Sequence, residues 1–228
     1  MGDRAVDALK WIALASMTID HINKYLLDAQ HPWMFAVGRI AAPLFAMVLG
    51  YNLARPGAVA SNAAARAGLR LLAWGAVASV PYIGLGKTSL AGGWWPLNVL
   101  FALAVASLGI ALWSGHHRSF ALGLLVVGGA LAEFFWPLIG LVLAAHRYAR
   151  APSFVGLGTV VLACALLTVI NGNGWALVAL PMVAVASQAH PAADAPHTAR
   201  HSRRIFYAYY PLHLAVLWVV RALQDAGS

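Results

Sequence analysis

Long apolar runs, interrupted at intervals by glycine, proline or charged residues, make up most of this chain. A helix that crosses a bilayer needs roughly 20 predominantly apolar residues, and the runs and their breaks predict a series of such helices. The predicted segments are residues 9–27, 33–53, 67–85, 96–113, 119–132, 135–149, 152–170, 173–188 and 205–223. The pattern therefore predicts an all-α, polytopic membrane helix bundle of about nine transmembrane helices, in a single domain over residues 1–228.

The fifth and sixth predicted segments are short and meet at Glu133, so they form either two crossings or a re-entrant pair. Cytoplasmic ends of membrane segments collect Lys and Arg. With two crossings and a cytoplasmic N-terminus, only Lys24, Lys87 and Arg221 face outward, whereas the inner ends hold Arg4, Lys10, Arg55, Arg66, Arg70, Arg118, Arg147, Arg150, Arg200, Arg203 and Arg204. Fusing the fifth and sixth segments into one crossing would move Arg147, Arg150 and the Arg200–Arg204 group outside. The charge distribution therefore favours the split and nine crossings, with residues 188–204 as a cytoplasmic linker.

The composition agrees with this fold class. The chain is 61% hydrophobic and 10% charged, whereas soluble domains carry about 25% charged residues. Its net charge of +8 does not indicate nucleic-acid binding, because the basic residues stand at the ends of apolar segments. Cys164 is the only cysteine, so a packing role is expected for it. We expect no metal, because His190, His197 and His201 match no spacing of a closed site.

Titratable residues inside the apolar segments indicate a functional site, because charged groups are costly in lipid and usually mark where a membrane protein works. Asp20 and His21 lie side by side in the first segment, Arg39 lies in the second and His213 in the ninth. The predicted topology puts them in the outer half of the membrane, at the same depth as Asn98, Glu133 and Tyr210. Two structural interpretations stay open: Asp20 and Arg39 as a buried ion pair, and Asn98 as a helix cap.

A second group of residues points toward the inner surface. Lys10 and His21 are close to three helical turns apart, roughly 16 Å along one face of a helix. Arg66 and Arg70, spaced i,i+4 at the inner end of the third segment, could add to Lys10 as a phosphate clamp. Such arginines are also typical of ordinary membrane anchors. A long ligand with phosphates at the inner surface and its reactive end near His21 would suit this spacing.

Four phrases, in this order, resemble the TraX family: LKWIALASMTIDHI, GRIAAPLFAMVLGYNLAR, PLNVLFAL and FYAYYPLHL. The resemblance covers nearly the whole chain. Founding members of that family are linked to N-terminal acetylation of conjugative pilin, and the family looks related to a wider set of membrane acyltransferases, some of which act on sugars. The sugar O-acyltransferases carry a basic residue, ten intervening residues and a histidine in their first span, a pattern that Lys10 and His21 match.

The resemblance implies that His21 is the acyl-transfer residue, with Arg39 and His213 in the same site. The chain departs from the family pattern at two places. Val80 stands where members often have an acidic residue before the proline of the third span. Glu133 and the aromatic residues after it stand where members tend to have Asp-Tyr-Gly. These departures leave the identity of the acceptor open.

The expected function is transmembrane acetyl transfer in a bacterial inner membrane, from cytoplasmic acetyl-CoA to an extracytoplasmic amine such as a pilin N-terminus. Lys10, Arg66 and Arg70 would hold the CoA phosphates. The expected catalytic residues are His21, Asp20, Arg39 and His213, with Asp20 or another carboxylate orienting His21 and with Arg39 or Asn98 stabilising the oxyanion. The expected acceptor contacts are Asn98, Glu133 and Tyr210.

Two other classes of function remain open. One is an O- or N-acyltransferase of a cell-surface glycan. The other is a non-enzymatic membrane protein, either a small-solute transporter or a pilus-assembly factor. Transporters also keep paired charges near the bilayer midplane, beside broken helices, and Pro43, Pro81 and Pro137 permit such breaks.

Overall fold

The computed structural model describes residues 1–58, 61–86, 94–188 and 199–227, with the side chains of 199–204 excepted. These residues form ten α-helices and no strand, which confirms the predicted all-α class. A 3₁₀ turn over Trp175–Val178 precedes the ninth helix. The helices are α1 (Asp3–Leu26), α2 (Pro32–Gly38), α3 (Ala41–Ala54), α4 (Ala63–Gly84), α5 (Val99–Ser114), α6 (Arg118–Leu131), α7 (Phe135–Arg150), α8 (Phe154–Asn171), α9 (Ala179–Gln188) and α10 (Ala199–Gly227).

Five helices form a closed ring. Helix α1 packs against α3, α3 against α5, α5 against α4, α4 against α10, and α10 again against α1. Helices α6 and α7 pack outside α5, and α8 packs on α7. Helix α5 thus has neighbours on several sides, and its Ala102, Ala104 and Ala106 are fully buried. Such small residues let helix backbones approach closely. In a membrane this close packing drives helix association, because lipid offers no strong hydrophobic effect between helices.

The second predicted segment, 33–53, is not one continuous helix. It is divided into α2 and α3 by a turn at Arg39 and Ile40. Pro43 explains the break, because a proline has no N–H to donate to the carbonyl four residues earlier, here that of Arg39. Arg39 therefore sits at a break between two helices, where a single continuous span was expected.

Helices α1 and α10 run parallel to each other. Near their N-terminal ends, the Trp11 and Phe206 rings lie 5.0 Å apart. Near their C-terminal ends, Arg221 Nη1 donates to the carbonyl oxygen of Tyr25 at 3.4 Å. The first and last helices therefore point in the same direction, although the whole chain lies between them.

Several features are those of a membrane protein. Within the described part of the chain, three stretches are long and apolar enough to cross a bilayer: Pro32–Ala54, Phe154–Asn171 and Ile205–Gly227. Large apolar side chains cover the outside of the bundle, including Phe120 at 73%, Phe154 at 95% and Val169 at 78% exposure. Exposed apolar area on this scale indicates contact with lipid or protein. Helix α6 has 14 residues and is therefore only about 21 Å long.

The fifth and sixth predicted segments are separate helices that meet near Glu133, since α6 ends at Leu131 and α7 begins at Phe135. The predicted linker 188–204 is shorter than expected at its C-terminal end, since α10 already begins at Ala199. Lys87 and the histidines His190 and His197 lie outside the described residues, as does the side chain of His201.

Candidate functional site

The ring of five helices encloses a cavity of about 520 Å³. Such a volume lies within the range of about 300–1,000 Å³ that is usual for small-molecule sites. The predicted phosphate-binding residues Lys10, Arg66 and Arg70 all line it, together with Arg55. Deeper in, its wall is apolar and comes from α1, α3, α5 and α10. We call this the large cavity.

The cations of the large cavity differ in their contacts. Lys10 Nζ lies 2.8 Å from Asp7 Oδ1, and Arg55 Nη2 lies 2.6 Å from Asp3 Oδ1. Arg66 and Arg70 have no ion-pair partner among the residues that the structure describes. Two unpaired guanidinium groups one helical turn apart are well suited to bind phosphate in a bidentate manner.

A second, small cavity of about 70 Å³ lies next to the large one. Asp20, His21, Arg39 and Glu133 line it, as predicted, and so does Lys24. Four residues border both cavities: Met17, Phe45, Val99 and Tyr210. We call these four residues the constriction. One comes from each of α1, α3, α5 and α10, so four helices of the ring meet at this level.

His21 and His213 form a hydrogen-bonded pair of imidazoles. His21 Nδ1 lies 2.7 Å from His213 Nε2. Their planes differ by 7° and their centroids are 5.0 Å apart. With nitrogens this close, the two rings must lie edge to edge in nearly one plane, because rings stacked face to face would not bring these nitrogens together at that centroid distance. The rings of Tyr25 and Tyr210 pack on that of His21 in T-shaped arrangements, with centroids 5.5 and 6.3 Å away.

The tautomers of the two histidines follow from the contact of His213 with a backbone carbonyl group. His213 Nδ1 lies 3.0 Å from the carbonyl oxygen of Tyr209. A carbonyl oxygen only accepts hydrogen bonds, so Nδ1 of His213 carries the proton and donates it. The Nε2 of neutral His213 is then an acceptor, and His21 Nδ1 donates to it. His21 is left with an unprotonated Nε2 on the ring that lines the small cavity.

Asp20 does not orient His21, which corrects one sequence-based expectation. Its carboxylate pairs with Arg39, whose Nη2 donates to Oδ2. The alternative interpretation, a buried ion pair between two helices, describes this contact. Neighbouring residues on a helix point about 100° apart, so the side chains of Asp20 and His21 reach different partners.

Arg39 is held on several sides. Its Nη1 lies 3.4 Å from Asn171 Oδ1, and its guanidinium carbon lies 4.3 Å from the centroid of the Phe35 ring. Its Nε is buried and has no hydrogen-bond partner among the described residues. Arg39 also lines the small cavity, so the residue borders the space that a bound group would occupy.

Gly38 makes the ion pair possible, because a Cβ there would lie 2.2 Å from the Cβ of Asp20. We expect Gly38→Ala to push α2 away from α1 and to cost about 1–3 kcal/mol, as overpacking does. Thermal unfolding in detergent measures this as a lower Tm. Gly140→Ala is the matched control, since no atom lies within 4 Å of a Cβ there. Equal Tm values for the two variants would contradict the close approach of α2 to Asp20.

Asn98 is a structural residue, which corrects its expected roles in substrate binding and oxyanion stabilisation. Its side chain accepts from the backbone N–H of Leu100 at 3.2 Å and caps α5. Its Nδ2 donates to the carbonyl oxygen of Gly75 at 2.9 Å and to Ser79 Oγ at 3.2 Å. The residue is fully buried and lines neither cavity, so its amide is already used by the two helices that it joins.

Sequence reasoning missed Lys24 and, in the constriction, Met17, Phe45 and Val99. Lys24 was interpreted only as an outer charge, although it follows Asp20 by four residues and His21 by three, on the same helix face. Met17 and Phe45 carried no signal, because an apolar residue in an apolar segment does not reveal whether it faces lipid, core or cavity. Val80, one of the two departures from the family pattern noted in the sequence, is not part of the site. It is 63% exposed and lines neither cavity.

Comparison with known proteins assigns this arrangement to a family. A family model described as TraX protein matches residues 5–221. The chain belongs to the TraX family. It is 31% identical to Protein TraX of Escherichia coli over 224 residues, which cover 94% of this chain and 86% of that protein. It is 30% identical over 226 residues to Protein TraX of Escherichia coli strain K12, again with 94% and 86% covered. No solved structure matches this chain significantly.

The TraX-like phrases coincide with the walls of the two cavities. They cover residues 9–22, 38–55, 96–103 and 206–214. Each of the four residues of the constriction comes from a different phrase. The sequence features by which the chain resembles the TraX family thus meet around one site, although they are spread over the whole chain.

Proposed function

We propose that this TraX-family chain is a multi-pass acetyltransferase of the bacterial inner membrane, which moves an acetyl group from cytoplasmic acetyl-CoA to an amine on the opposite side. The observation that carries the proposal is His21. Its Nδ1 is occupied by His213, and its ring lines a small cavity that shares four wall residues with a large, basic-mouthed cavity. A base inside a membrane protein, adjacent to cavities of this kind, suits a reaction between substrates on two sides.

The parallel direction of α1 and α10 supports the proposed topology of nine crossings. Two parallel helices require an odd number of crossings between them, and seven segments separate the first from the ninth. Fusion of the two short segments at Glu133 into a single crossing would leave an even number and make the two helices antiparallel. Lys10, Arg55, Arg66 and Arg70 surround the mouth of the large cavity, which supports a cytoplasmic mouth by the positive-inside rule.

The large cavity suits a CoA thioester by shape and by charge. Its basic mouth would hold the phosphates on Arg66, Arg70 and Lys10, and its apolar depth would hold the pantetheine arm. The acyl carbon would then reach His21 through the constriction. Metal ions have no part in this proposal, and no group of three or more metal-ligating side chains occurs among the described residues.

The transfer step uses His21 as a general base. Its Nε2 takes a proton from the attacking amine as the nitrogen forms a bond to the acyl carbon. The carbon–sulfur bond of the thioester then breaks, and the proton passes from His21 to the sulfur, which leaves as the CoA thiol. A positioned base of this kind contributes about 10²–10⁴-fold to the rate.

Two other residues would complete the site. The guanidinium group of Arg39, a residue that lines the small cavity, would donate to the oxyanion of the tetrahedral intermediate, a contribution worth about 3–4 kcal/mol in a water-excluded site. The carboxylate of Glu133, which lines the small cavity, would receive the acceptor's ammonium group before it loses its proton. An amine acceptor, such as the N-terminus of a pilin, fits such a carboxylate better than a neutral hydroxyl does.

The test uses the full chain in lipid vesicles, with acetyl-CoA radiolabelled in its acetyl group outside and a short peptide with a free N-terminal amine enclosed inside. We expect label on the enclosed peptide. Replacing Arg66 and Arg70 together by Gln should raise the KM for acetyl-CoA at least about tenfold, because charge-assisted hydrogen bonds contribute about 1.5–3 kcal/mol each. The kcat should change little.

Arg118→Gln is the control for charge, because Arg118 lies over Trp113, 5.5 Å from its ring centroid, and lines neither cavity. Label on glycan hydroxyls or amino sugars but not on the peptide would select the glycan acyltransferase instead. A chain that neither binds acetyl-CoA nor labels any acceptor would contradict the enzyme and leave the transporter or assembly factor.

A further inference from the structure

We infer that the constriction, formed by Met17, Phe45, Val99 and Tyr210, determines how long an acyl chain can be presented to His21. This inference rests on the proposed function. It adds a determinant of the donor's chain length, which the family membership does not specify, and it assigns that role to three apolar side chains and Tyr210.

The constriction lies between the large cavity and the small cavity that His21 lines. Among the residues that the structure describes, these four are the only wall residues that the two cavities share. A CoA thioester whose phosphates lie at the basic mouth must extend its acyl end past them to reach His21. His21 lines the small cavity but not the large one. The acyl group, and not the pantetheine arm, must therefore occupy the space beyond the constriction.

The space beyond the constriction is small. The small cavity measures about 70 Å³ and the large cavity about 520 Å³. On this measure a single water needs at least about 10–15 Å³, so the small cavity accommodates a group of only a few heavy atoms. An acetyl group, with three heavy atoms, fits there beside the attacking amine. A hexanoyl group, with four further carbons, does not.

The space beyond the constriction is also lined largely by charged groups. Apart from the constriction and a few small or aromatic residues, the small cavity is lined by charged groups, namely Asp20, Lys24, Arg39 and Glu133. An apolar chain that entered it would displace water or ligand from these groups without replacing their hydrogen bonds, which is costly. Space and polarity thus act together against a longer acyl chain.

The constriction is also the part of the wall that truncation can open. Met17 is buried and has a flexible side chain that adapts to its surroundings. Phe45 is large and half-buried. Tyr210 packs against both histidines and Val99 directly follows the cap Asn98, so changes at these two positions would disturb other functions. Phe45→Ala and Met17→Ala are therefore the informative variants, because each joins the small cavity to the large apolar one.

The experiment measures release of the CoA thiol by the purified full-length chain from acetyl-, butyryl- and hexanoyl-CoA, with the same short peptide as acceptor. We expect the wild type to use hexanoyl-CoA at least 100-fold less efficiently than acetyl-CoA, since a single methylene changes selectivity by about 10–200-fold in a fitted pocket. In Phe45→Ala and Met17→Ala the difference should fall to about tenfold or less.

Leu44→Ala is the matched control. Leu44 is the neighbour of Phe45 on α3 and is fully buried, but it lines neither cavity, so its truncation should leave the acetyl preference unchanged. A wild type that uses hexanoyl-CoA as well as acetyl-CoA would overturn the inference and leave the acetyltransferase standing. The same holds if Phe45→Ala and Met17→Ala match Leu44→Ala in preference. A wild type without any acetyl transfer would overturn the proposed function and this inference together.

Discussion

His21→Ala is expected to lower the rate of acetyl transfer by about 10²–10⁴-fold, because a positioned general base contributes that much. The variant should insert and unfold like the wild type, since His21 makes one hydrogen bond, to His213, and its ring otherwise contacts tyrosines. The measurement is transfer of radiolabelled acetyl to the peptide acceptor, alongside Tm in detergent. His116→Ala serves as control, because His116 is an exposed loop residue.

His213 tests the tautomer that the structure implies. If His213 acts by accepting the proton of His21 Nδ1, then His213→Leu should slow transfer and His213→Gln should recover part of it, because the Gln carbonyl also accepts a hydrogen bond. A purely structural role would make the two variants equal. Full activity in His21→Ala would remove the imidazole from the reaction and, with it, the proposed mechanism.

Asp20→Asn or Arg39→Met is expected to cost about 3–5 kcal/mol of stability, the usual effect of removing one partner of a buried ion pair. Both side chains are mostly buried, with 9% and 14% exposure. Removal of either charge leaves the other without its partner. The double variant Asp20→Leu/Arg39→Met should recover much of this loss, since it leaves no buried charge. Thermal or denaturant unfolding of the purified chain in detergent measures all three.

An exposed ion pair provides the comparison for this prediction. Arg221 Nε lies 3.0 Å from Asp225 Oδ1, and the two side chains are 30% and 60% exposed. Exposed pairs contribute about 0–1 kcal/mol, so Asp225→Asn should shift the Tm only slightly. If Asp20→Asn shifted the Tm as little as Asp225→Asn, the ion pair between Asp20 and Arg39 would not hold α1 against α2. The close approach at Gly38 would then not be explained by that ion pair.

Much of the helical architecture follows from local sequence. Apolar runs bounded by glycine, proline and charge located every helical segment, and Glu133 marked the turn between α6 and α7. The second segment was predicted as one span, and Pro43 was interpreted only as permitting a break within it. Long apolar runs predict how much of the chain is helical and leave open where a helix is interrupted, because an interruption depends on a few unmet backbone hydrogen bonds and on what surrounds them.

The sequence was sufficient to predict which residues belong to the candidate site, but not which of them contact each other. His21, Arg39, Glu133 and His213 could be chosen because titratable groups are rare and costly in apolar segments. Their partners could not, because His21 and His213 are 192 residues apart in the chain and meet only through the packing of α1 on α10. The same holds for Asn98, whose amide is used by α4 and α5.

By itself, the sequence determined an all-helical chain with apolar segments and a set of polar residues at a common depth. Hydrophobic patterning acts through near neighbours, so it fixes which residues are helical and where charges fall along each helix. The tertiary structure alone decided that His213, and not Asp20, binds His21, and that the four residues of the constriction lie between two cavities. Those outcomes depend on which helix faces become neighbours, and that choice is made when the ring closes.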